Sequence, residues 1–331
     1  MGKPRVCIVS PAAAGANNGN WHTASRWQRF LAPLAEVEIT LTWDGTPADA
    51  LIALHARRSA ESIERFAGRH PHRPLALVLT GTDLYRDLES NASARHSVEC
   101  ASHLIVLQEQ GLHRLGAGAR AKARVIVQSA PRLVRHDRAR RRFDLVAVGH
   151  LREEKDPLTL MRAARLLPTD TKVRIHHIGN ALDADLQAAA ERCAMECAAY
   201  RWLGGLAHTG TRRWIARSRA LVHMSRMEGG ANVLIEALRS RVPVLASRID
   251  GNVGLLGSGY DGYFKVGDAQ ALAALMQRFA SDPDFAAHLQ AQCAVLEPRF
   301  TPAVESAAVR TLLRELLLHG SVHAPAGLLT Q

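Results

Sequence analysis

The sequence predicts an α/β protein built from two Rossmann-like domains. Short apolar runs alternate with segments whose apolar residues recur every three or four positions, a pattern typical of βαβ units and parallel sheets. This alternation occurs twice, and an arginine-rich stretch at residues 132–142 interrupts it. The length of 331 residues suits two domains of roughly 150 residues each.

Each domain contains six predicted strands. The first six are RVCIVS, VEITLTW, ALIALHA, LALVLTG, SHLIVLQ and RVIVQSA, and the second six are FDLVAVGHL, KVRIHHIG, YRWLGG, ALVHMS, VPVLAS and YFKV. The first helix carries Ala24, Trp27, Leu31 and Leu34 on one face. Further helices are predicted at 59–68, 109–115, 184–197, 211–217, 269–279, 283–296 and 302–318.

The predicted boundary between the domains lies near residues 131–142. The N-terminal domain is predicted to span 1–135 and the C-terminal domain 143–300. A C-terminal helix at 301–318 is expected to pack back on the N-terminal domain, and 319–331 is expected to be a loose tail. No leader-like segment and no apolar run of about 18 residues occurs, so we expect a cytoplasmic protein without membrane contact. Five scattered cysteines, without metal-ligand spacing, indicate reduced thiols.

The formal net charge of +11 raises the possibility of a nucleic-acid partner. The densest basic stretch, RLVRHDRARRR, lacks interleaved aromatic residues, and aromatic residues make up only 5% of the chain. No helix-turn-helix, zinc-finger or RNP pattern is present. We therefore expect no nucleic-acid partner, and interpret the stretch as a solvated linker or as a positive rim that attracts anionic substrates.

The most informative motif is SRMEGGANVLIEALRSRVPVLAS, residues 225–247. It places Glu228 and Glu236 eight positions apart, on either side of a glycine pair and of a predicted helix start near Asn232. Glycine lets the backbone approach a ligand closely, and the N–H groups of a helix N-terminus suit an anion such as a diphosphate. Glu236 is then placed to accept hydrogen bonds from a ribose diol, and Glu228 to face whatever the diphosphate carries.

This motif resembles the donor-site motif E-x7-E of retaining GT-B glycosyltransferases, a large family that includes sucrose synthase and many bacterial hexosyltransferases. VGHLREEKDP resembles the G-R-L-x-x-x-K-G segment that holds the donor diphosphate in that family. Lys155 occupies the lysine position, His150 stands where the family usually has arginine, and Arg152 lies two residues on. The resemblance implies a GT-B fold, with two Rossmann-like domains facing a central cleft. Cations at this segment would stabilise the charge of the leaving nucleoside diphosphate.

These two segments give the candidate residues of the donor side. The catalytic candidates are Glu228, Lys155 and Arg152. IDGNVGLLG follows a predicted strand and is expected to line the same site, and the family often places a backbone clamp at LGGLAHTG. The donor-binding candidates are Gly149, His150, Gly229, Gly230, Ala231, Asn232, Val233, Glu236, Gly251 and Asn252. No D-x-D pair is placed for a metal, so we expect metal-free chemistry and no cofactor beyond a UDP-sugar co-substrate.

Three loops of the N-terminal domain follow strands, and ligands bind outside the carboxyl ends of strands in such sheets. They are SPAAAGANNGNWHTA, LHARRS and LTGTDLYRDL. Amide side chains and a helix N-terminus in the first suit an anion or a sugar, whereas Asp83 in the third is either a helix N-cap or a substrate ligand. The acceptor-binding candidates are Asn17, Asn18, Gly19, Asn20, Arg26, His55, Arg57, Thr82, Asp83 and Arg86.

The combination of SPAAAGANNGNWHTASRW, LTGTDLYRDL, VGHLREEKDP and EGGANVLIEAL with SRIDGNVGLLG resembles the selenosugar synthases of selenoneine biosynthesis. The resemblance extends to about residue 318. It implies that selenophosphate attacks the anomeric carbon of a UDP-sugar such as UDP-N-acetylglucosamine, and it suggests as partners the enzyme that produces selenophosphate and the enzyme that forms selenoneine. A conventional GT-B hexosyltransferase with a hydroxyl acceptor is the alternative, and it predicts a general base or an apolar groove in the N-terminal domain.

Overall fold

The computed structural model describes residues 2–13, 19–133 and 142–322, with side chains up to residue 318. The chain forms two compact units, which we call unit 1 (Met1–Gln128 with Ala303–Gln331) and unit 2 (Ser129–Pro302). Each unit contains one six-stranded sheet in which all neighbouring strands are parallel. The predicted class, α/β with two Rossmann-like domains, is confirmed.

The sheet of unit 1 has the strand order β2-β1-β3-β4-β5-β6. Its strands are β1 (Arg5–Val9), β2 (Glu36–Thr40), β3 (Ala50–Leu54), β4 (Leu75–Leu79), β5 (His103–Val106) and β6 (Ala123–Val125). β3 and β4 are buried along their whole length. Such continuous apolar strands are expected at the centre of a parallel sheet that is covered on both faces.

Helices cover the two faces of this sheet. They are α1 (Gly19–Leu31), α2 (Ala60–Arg69), α3 (Leu88–Ser90), α4 (Ala92–Cys100), α5 (Ala117–Ala121) and α13 (Pro302–Val322), together with a π-helical turn at Asp83–Asp87 and a 3-10 turn at Glu109–Arg114. Trp27 of α1 is buried in one core with Leu312 and Leu316 of α13. The last helix of the chain therefore packs on unit 1. The other core contains Trp43 and Phe66.

The sheet of unit 2 has the order β9-β8-β7-β10-β11-β12. Its strands are β7 (Phe143–Val148), β8 (Val173–Ile178), β9 (Tyr200–Trp202), β10 (Ala220–His223), β11 (Val244–Ser247) and β12 (Tyr263–Phe264). When the strands of unit 2 are numbered 1 to 6 along the chain, this order is 3-2-1-4-5-6. It is the strand order of dinucleotide-binding Rossmann domains.

The helices of unit 2 lie between these strands or follow the last of them. They are α6 (Pro157–Arg165), α7 (Ala184–Glu196), α8 (His208–Arg217), α9 (Asn232–Arg239), α10 (Asp250–Leu256), α11 (Ala269–Ser281) and α12 (Pro283–Leu296), with 3-10 turns at Glu153–Lys155 and Glu297–Phe300. The motif helix predicted near Asn232 is α9.

All twelve predicted strands are present, but several helical segments differ from the prediction, and α3, α5 and α6 were not predicted. The predicted helix at 109–115 is a 3-10 turn, and α4 was not predicted. The segment IDGNVGLLG was expected to be a loop, and most of it forms α10. Short helices of this kind have weak sequence signals because one or two turns offer too few positions for an apolar period.

Candidate functional site

The strand order of unit 2 reverses between β7 and β10, which lie side by side in the sheet. The chain leaves β7 toward β8 on one side and leaves β10 toward β11 on the other. At such a reversal the two loops that follow the strands diverge and leave a crevice, where open α/β sheets bind ligands. Lys155 belongs to the segment after β7, and Glu228 to the segment after β10. The two recognised motifs therefore meet at this crevice.

His177 of β8 makes a hydrogen bond with the segment that follows β7. The Nε2 atom of His177 lies 3.2 Å from the carbonyl oxygen of Gly149, and its Nδ1 lies 2.9 Å from the hydroxyl oxygen of Tyr200. Burial lowers the pKa of His177 to about 4, so the ring is neutral near pH 7. A neutral ring with its proton on Nε2 donates to Gly149 and accepts from Tyr200. This pair of bonds fixes the position of Gly149.

The segments after β7 and β10 are joined by several bonds. The backbone N–H of Arg226 donates to the carbonyl of Glu154 at 2.9 Å, and Nε of Arg226 lies 3.3 Å from Oδ2 of Asp156. Asp156 adopts a left-handed conformation with φ of 47°, which is strained for a residue with a Cβ. Its carboxylate also accepts from the Thr159 hydroxyl at 2.8 Å. These contacts offset the strain at Asp156 and hold the segments after β7 and β10 together.

The centre of the crevice is an ion pair between Lys155 and Glu228. Nζ of Lys155 donates to Oε1 of Glu228, and the two side chains are 17% and 12% exposed. Nε2 of His223 lies 3.4 Å from the same oxygen. Burial alone would raise the pKa of Glu228, but Lys155 and His223 outweigh it and hold this pKa well below its usual value. The carboxylate is therefore ionised at neutral pH, and it remains partly accessible.

The loop that carries Glu228 is supported by buried groups that follow β11. The Ser247 hydroxyl donates to the carbonyl of Ser225 at 2.5 Å, and Nδ2 of Asn252 donates to the carbonyl of Ser247 at 2.8 Å. A Cβ at Gly251 would lie 2.1 Å from the carbonyl oxygen of Glu228, so only glycine lets α10 approach this loop.

Gly251 and Asn252, which are predicted to bind the donor, take part in this support. Asn252 is fully buried and Gly251 packs against protein backbone. Neither offers its side-chain position to a ligand in this structure, and both instead position Glu228.

The N-terminus of α9 follows the glycine pair of the motif. Gly229 and Ala231 are buried, and Gly230, Asn232 and Val233 are half-buried. Ala231, the residue before the helix, supplies no side-chain cap. An eight-residue helix without a side-chain cap leaves its first N–H groups to water or to a ligand. This end of α9 directly follows the Glu228 loop, as the motif predicts.

The second motif glutamate, Glu236, is buried inside unit 2. Its Oε1 lies 2.6 Å from Nε2 of His208 and 3.9 Å from Nε of Arg212, both in α8. Glu236 is only 6% exposed, whereas the side chain of His208 is 41% exposed. A ribose diol that reaches Glu236 must therefore approach from the side on which His208 lies.

The other donor candidates after β7 have different surroundings. Nδ1 of His150 accepts from the backbone N–H of Asn180 at 3.1 Å, so this ring is tied to the loop after β8. Nε of Arg152 lies 3.9 Å from Oε2 of Glu154, and the side chain is 37% exposed. A Cβ at Gly149 would lie 3.4 Å from the stem of the Lys155 side chain. Their predicted donor contacts stay predictions.

The strand order of unit 1 reverses between β1 and β3, which are also neighbours. The loop after β1 contains Asn17 and Asn18, which lie outside the described residues. Gly19 and Asn20 are the first residues of α1, where Gly19 is exposed and Asn20 half-buried. The loop after β3 begins with His55. The described candidates Gly19, Asn20 and His55 therefore lie in segments that follow the carboxyl ends of β1 and β3, the edge at which open α/β sheets bind ligands.

Arg26 is engaged inside unit 1, which corrects the expectation that it binds the acceptor. Its Nε donates to Oε2 of Glu305 at 2.6 Å, and the two side chains are 10% and 0% exposed. Glu305 of α13 also accepts from Nε1 of Trp27 at 2.9 Å. This buried pair joins α13 to α1.

Asp83 is likewise a structural residue. Its carboxylate accepts from the backbone N–H groups of Ala56, Thr80 and Gly81 at 3.0, 2.9 and 2.8 Å, and the residue is fully buried. Of the two predicted roles of Asp83, helix N-cap or substrate ligand, these contacts resemble the first, because the carboxylate accepts from backbone N–H groups. Its carboxylate joins the loop after β3 to the loop after β4.

His55 occupies a strained position at the end of β3. Its φ of 74° is left-handed, and the side chain is only 3% exposed. Nδ1 accepts from the backbone N–H of Arg58 at 3.3 Å, so the Nε2 proton is directed at the Thr82 hydroxyl, 3.0 Å away. Burial lowers the pKa of His55 although Asp83 opposes the shift, which keeps the ring neutral near pH 7.

Two arginines of unit 1 meet at one carboxylate. Nε of Arg57 lies 2.8 Å from Oδ2 of Asp87, and Nε of Arg86 lies 3.3 Å from Oδ1. Burial by itself raises the pKa of Asp87, but both guanidinium groups lower it, so the net shift is downward. The arginine side chains are 41% and 47% exposed. The shared carboxylate also lies 4.0 Å from Nε2 of His55.

Residues that contact the candidates but were not singled out from the sequence include His177, His208, His223 and Asp87. Each histidine lies within an apolar run or a glycine-containing loop, where a single His gives no pattern. The described residues contain no group of three or more His, Cys, Asp or Glu side chains placed to hold a metal ion. Among the described helices, none has the length and apolar character that a membrane span requires.

Comparison with known proteins agrees with this geometry. Residues 134–293 match the family model described as Glycosyl transferases group 1. The structure resembles HepE from Anabaena in complex with UDP and glucose, with a TM-score of 0.74, 16% identity, and coverage of 94% of this chain and 100% of HepE. It also resembles sucrose-phosphate synthase from Thermosynechococcus elongatus, with a TM-score of 0.73, 14% identity and coverage of 96% and 100%.

A more distant similarity is to the pneumococcal O-GlcNAc transferase GtfA in complex with UDP and GlcNAc. There the TM-score is 0.65 and the identity 17%, with coverage of 81% of this chain and 57% of GtfA. No curated protein sequence matches the chain. The protein has the GT-B fold and is a glycosyltransferase.

Proposed function

We propose that the protein transfers a sugar from a UDP-sugar to selenophosphate, forming a carbon–selenium bond. The donor half of this proposal rests on one observation above all. The Lys155–Glu228 pair lies where the strand order of unit 2 reverses, beside the N-terminus of α9. The structural relatives that were solved with UDP or UDP-glucose support the same donor class.

The donor would be held by groups with complementary charge. Lys155, Arg152 and the N–H groups at the start of α9 would bind the diphosphate, and Glu236 would accept from the ribose hydroxyls. Glu228 would face the sugar. As the bond between the anomeric carbon and the diphosphate oxygen breaks, its electron pair leaves with UDP, and Lys155 stabilises the added negative charge.

Lys155 must change partners for this step. In the ligand-free chain it neutralises Glu228, whereas a bound diphosphate offers it a stronger anion. The ionised Glu228 would then accept hydrogen bonds from the sugar and stabilise positive charge that develops on the ring. The proposal uses no metal ion, and none of the candidate residues is assigned to one.

The acceptor half rests on unit 1 and on its resemblance to selenosugar synthases. Arg57 and Arg86 are partly exposed and share the Asp87 carboxylate, and Asn20 lies in the first turn of α1, the helix after β1. Selenium of selenophosphate attacks the anomeric carbon without a general base, because it is already a soft anion. Water then cleaves the selenium–phosphorus bond, which releases phosphate and gives the selenosugar, for use by a selenoneine-forming enzyme.

A conventional hexosyltransferase with a hydroxyl acceptor is the second candidate. One observation favours it: His55 is neutral, strained and close to the edge of the sheet, which are properties of a general base. Its Nε2 proton, however, is directed at Thr82, and Nδ1 accepts from the backbone. Neither nitrogen is therefore available as a base in this conformation.

One assay separates the two candidates. UDP release is measured with UDP-N-acetylglucosamine and UDP-glucose, each with selenophosphate, thiophosphate, phosphate or no acceptor. Release that depends on selenophosphate supports the proposal. Equal release with hydroxyl sugars, or none above the acceptor-free rate with selenophosphate, contradicts it. An Asn20→Ala variant with unchanged selenophosphate affinity and turnover would argue against the loop after β1 as the acceptor site.

A further inference from the structure

His223 has an unusual set of contacts for a buried strand residue. It is the last residue of β10, and its side chain is 2% exposed. Nε2 lies 3.4 Å from Oε1 of Glu228 and 3.4 Å from the Ser225 hydroxyl. An ionised carboxylate only accepts hydrogen bonds, so the ring proton is on Nε2 and is donated to Glu228.

The other ring nitrogen has no partner. Nδ1 of His223 is buried and makes no hydrogen bond in the described part of the chain. A buried acceptor without a partner destabilises a fold, and an apolar residue would avoid this. The other residues of β10, Ala220, Leu221 and Val222, are apolar. Histidine at this position is therefore less stabilising than an apolar residue would be. The contact that only the histidine makes possible is the one with Glu228.

The contacts of Glu228 are all on one side of its carboxylate. Lys155 and His223 both bind Oε1, and within the described residues no other hydrogen bond or ion pair of this side chain occurs. Oε2 is therefore left to accept from a ligand. Two donors on one oxygen also fix the direction in which the second oxygen points.

We propose that His223 is a positioning residue that keeps Glu228 ionised and oriented when Lys155 turns to the donor diphosphate. This inference rests on the proposed UDP-sugar function. Lys155 is flexible and has a competing anion in the bound state, whereas His223 is fixed at the end of a central strand. His223 then becomes the remaining partner of Oε1 during the reaction.

The test compares His223→Leu with His223→Gln. Leucine removes the donor, whereas the glutamine amide nitrogen reaches about the same position as Nε2. We expect His223→Leu to lower kcat by about tenfold to a hundredfold, as for a lost hydrogen bond to a charged group, with little change in the donor KM. On acidification, the kcat of His223→Leu should begin to fall at a higher pH than that of the wild type, because loss of the donor raises the pKa of Glu228. His223→Gln should retain most of the wild-type kcat and most of the wild-type pH dependence.

A purely structural role predicts a different result. Both variants would then lose activity in proportion to their unfolded fraction, and the acid limb of the pH profile would not move. That outcome, or an unchanged kcat in His223→Leu, overturns the inference. Failure of the proposed function is seen separately, as absence of UDP binding and UDP release in the wild type. In that case titration of the carboxyl-13C signal of Glu228 in wild type and His223→Leu still tests the contact, and equal pKa values would refute it.

Discussion

Unit 1 and unit 2 contain the same kind of crevice, at a reversal of strand order, but they use charged residues differently. In unit 2 the charged pair Lys155–Glu228 lies in the crevice and is partly accessible. In unit 1 Arg26 and Asp83 are buried in contacts within the unit, whereas the described acceptor candidates Arg57 and Arg86 keep partly exposed side chains. The charge of a side chain therefore does not reveal whether it binds a ligand, because a buried partner of opposite charge within the same unit can neutralise it.

The difference between the charged residues of the two crevices has a physical origin. A cation that binds a ligand must keep a stable position without being fully neutralised in the free protein. In the proposed function Lys155 meets this condition, because its partner Glu228 is the residue that faces the sugar. Arg26 does not, since its partner Glu305 is fully buried and has no exposed oxygen. The expected effects of substitutions consequently differ between the two crevices.

The largest effect is expected in unit 2. Lys155→Met and Glu228→Gln should each lower the kcat for UDP release by about 1000-fold, since each removes a preorganised charge from the reacting centre. The loss should be the same with every acceptor and also in acceptor-free hydrolysis. Turnover of UDP-sugar in each variant measures it.

The matched control for Lys155 is Lys172→Met, which changes an exposed lysine just before β8. It should leave kcat unchanged. A loss in Lys155→Met that appears with selenophosphate but not in acceptor-free hydrolysis would place Lys155 on the acceptor side, and would remove the distinction between the two crevices.

The next effect is on stability and tests the assignment of Arg26. Glu305→Leu leaves the Arg26 charge buried without its partner, so the free energy of unfolding should fall by about 3 kcal/mol. The double variant Arg26→Met with Glu305→Leu should regain part of this loss, because no unpaired charge remains. Urea unfolding of the single and double variants measures both.

Arg29→Met is the control, since Arg29 is an exposed arginine of the same helix. It should change the unfolding free energy by less than about 0.5 kcal/mol. If Arg26→Met retained full stability and raised the KM of selenophosphate instead, Arg26 would be an acceptor ligand after all.

A smaller effect is expected at the two exposed arginines of unit 1. Arg57→Ala and Arg86→Ala should each raise the KM of an anionic acceptor by about tenfold, the value for one lost charge-assisted hydrogen bond. The Kd of UDP should not change. Arg65→Ala, which alters an exposed arginine of α2, should change neither. A weakened UDP affinity in the first two variants would contradict their assignment to the acceptor.

The sequence was sufficient for the strands and for the two motif residues, Lys155 and Glu228, that the structure pairs. The strands were predictable because their apolar runs are long, and Lys155 and Glu228 because each belongs to a spaced motif. His223 and Glu305 were not predictable. His223 stands alone in an apolar strand, and Glu305 is 279 positions from Arg26. A partner at such a distance leaves no local pattern, so burial of Arg26 could be seen only in the structure.

The smallest effect concerns the support of the donor crevice by His177. Its pKa is lowered to about 4 by burial, whereas an unfolded histidine has a pKa of about 6.5. Between these values the unfolded chain binds a proton that the folded chain does not, so stability falls as the pH decreases. From pH 6.5 to 5.5 this group should remove about 1 kcal/mol from the free energy of unfolding. His177→Gln keeps a donor for Gly149 without this titration, and urea unfolding at both pH values should show a correspondingly smaller loss. An equal loss in wild type and variant would mean that His177 does not titrate in this range, and that the Gly149 segment is held independently of its charge state.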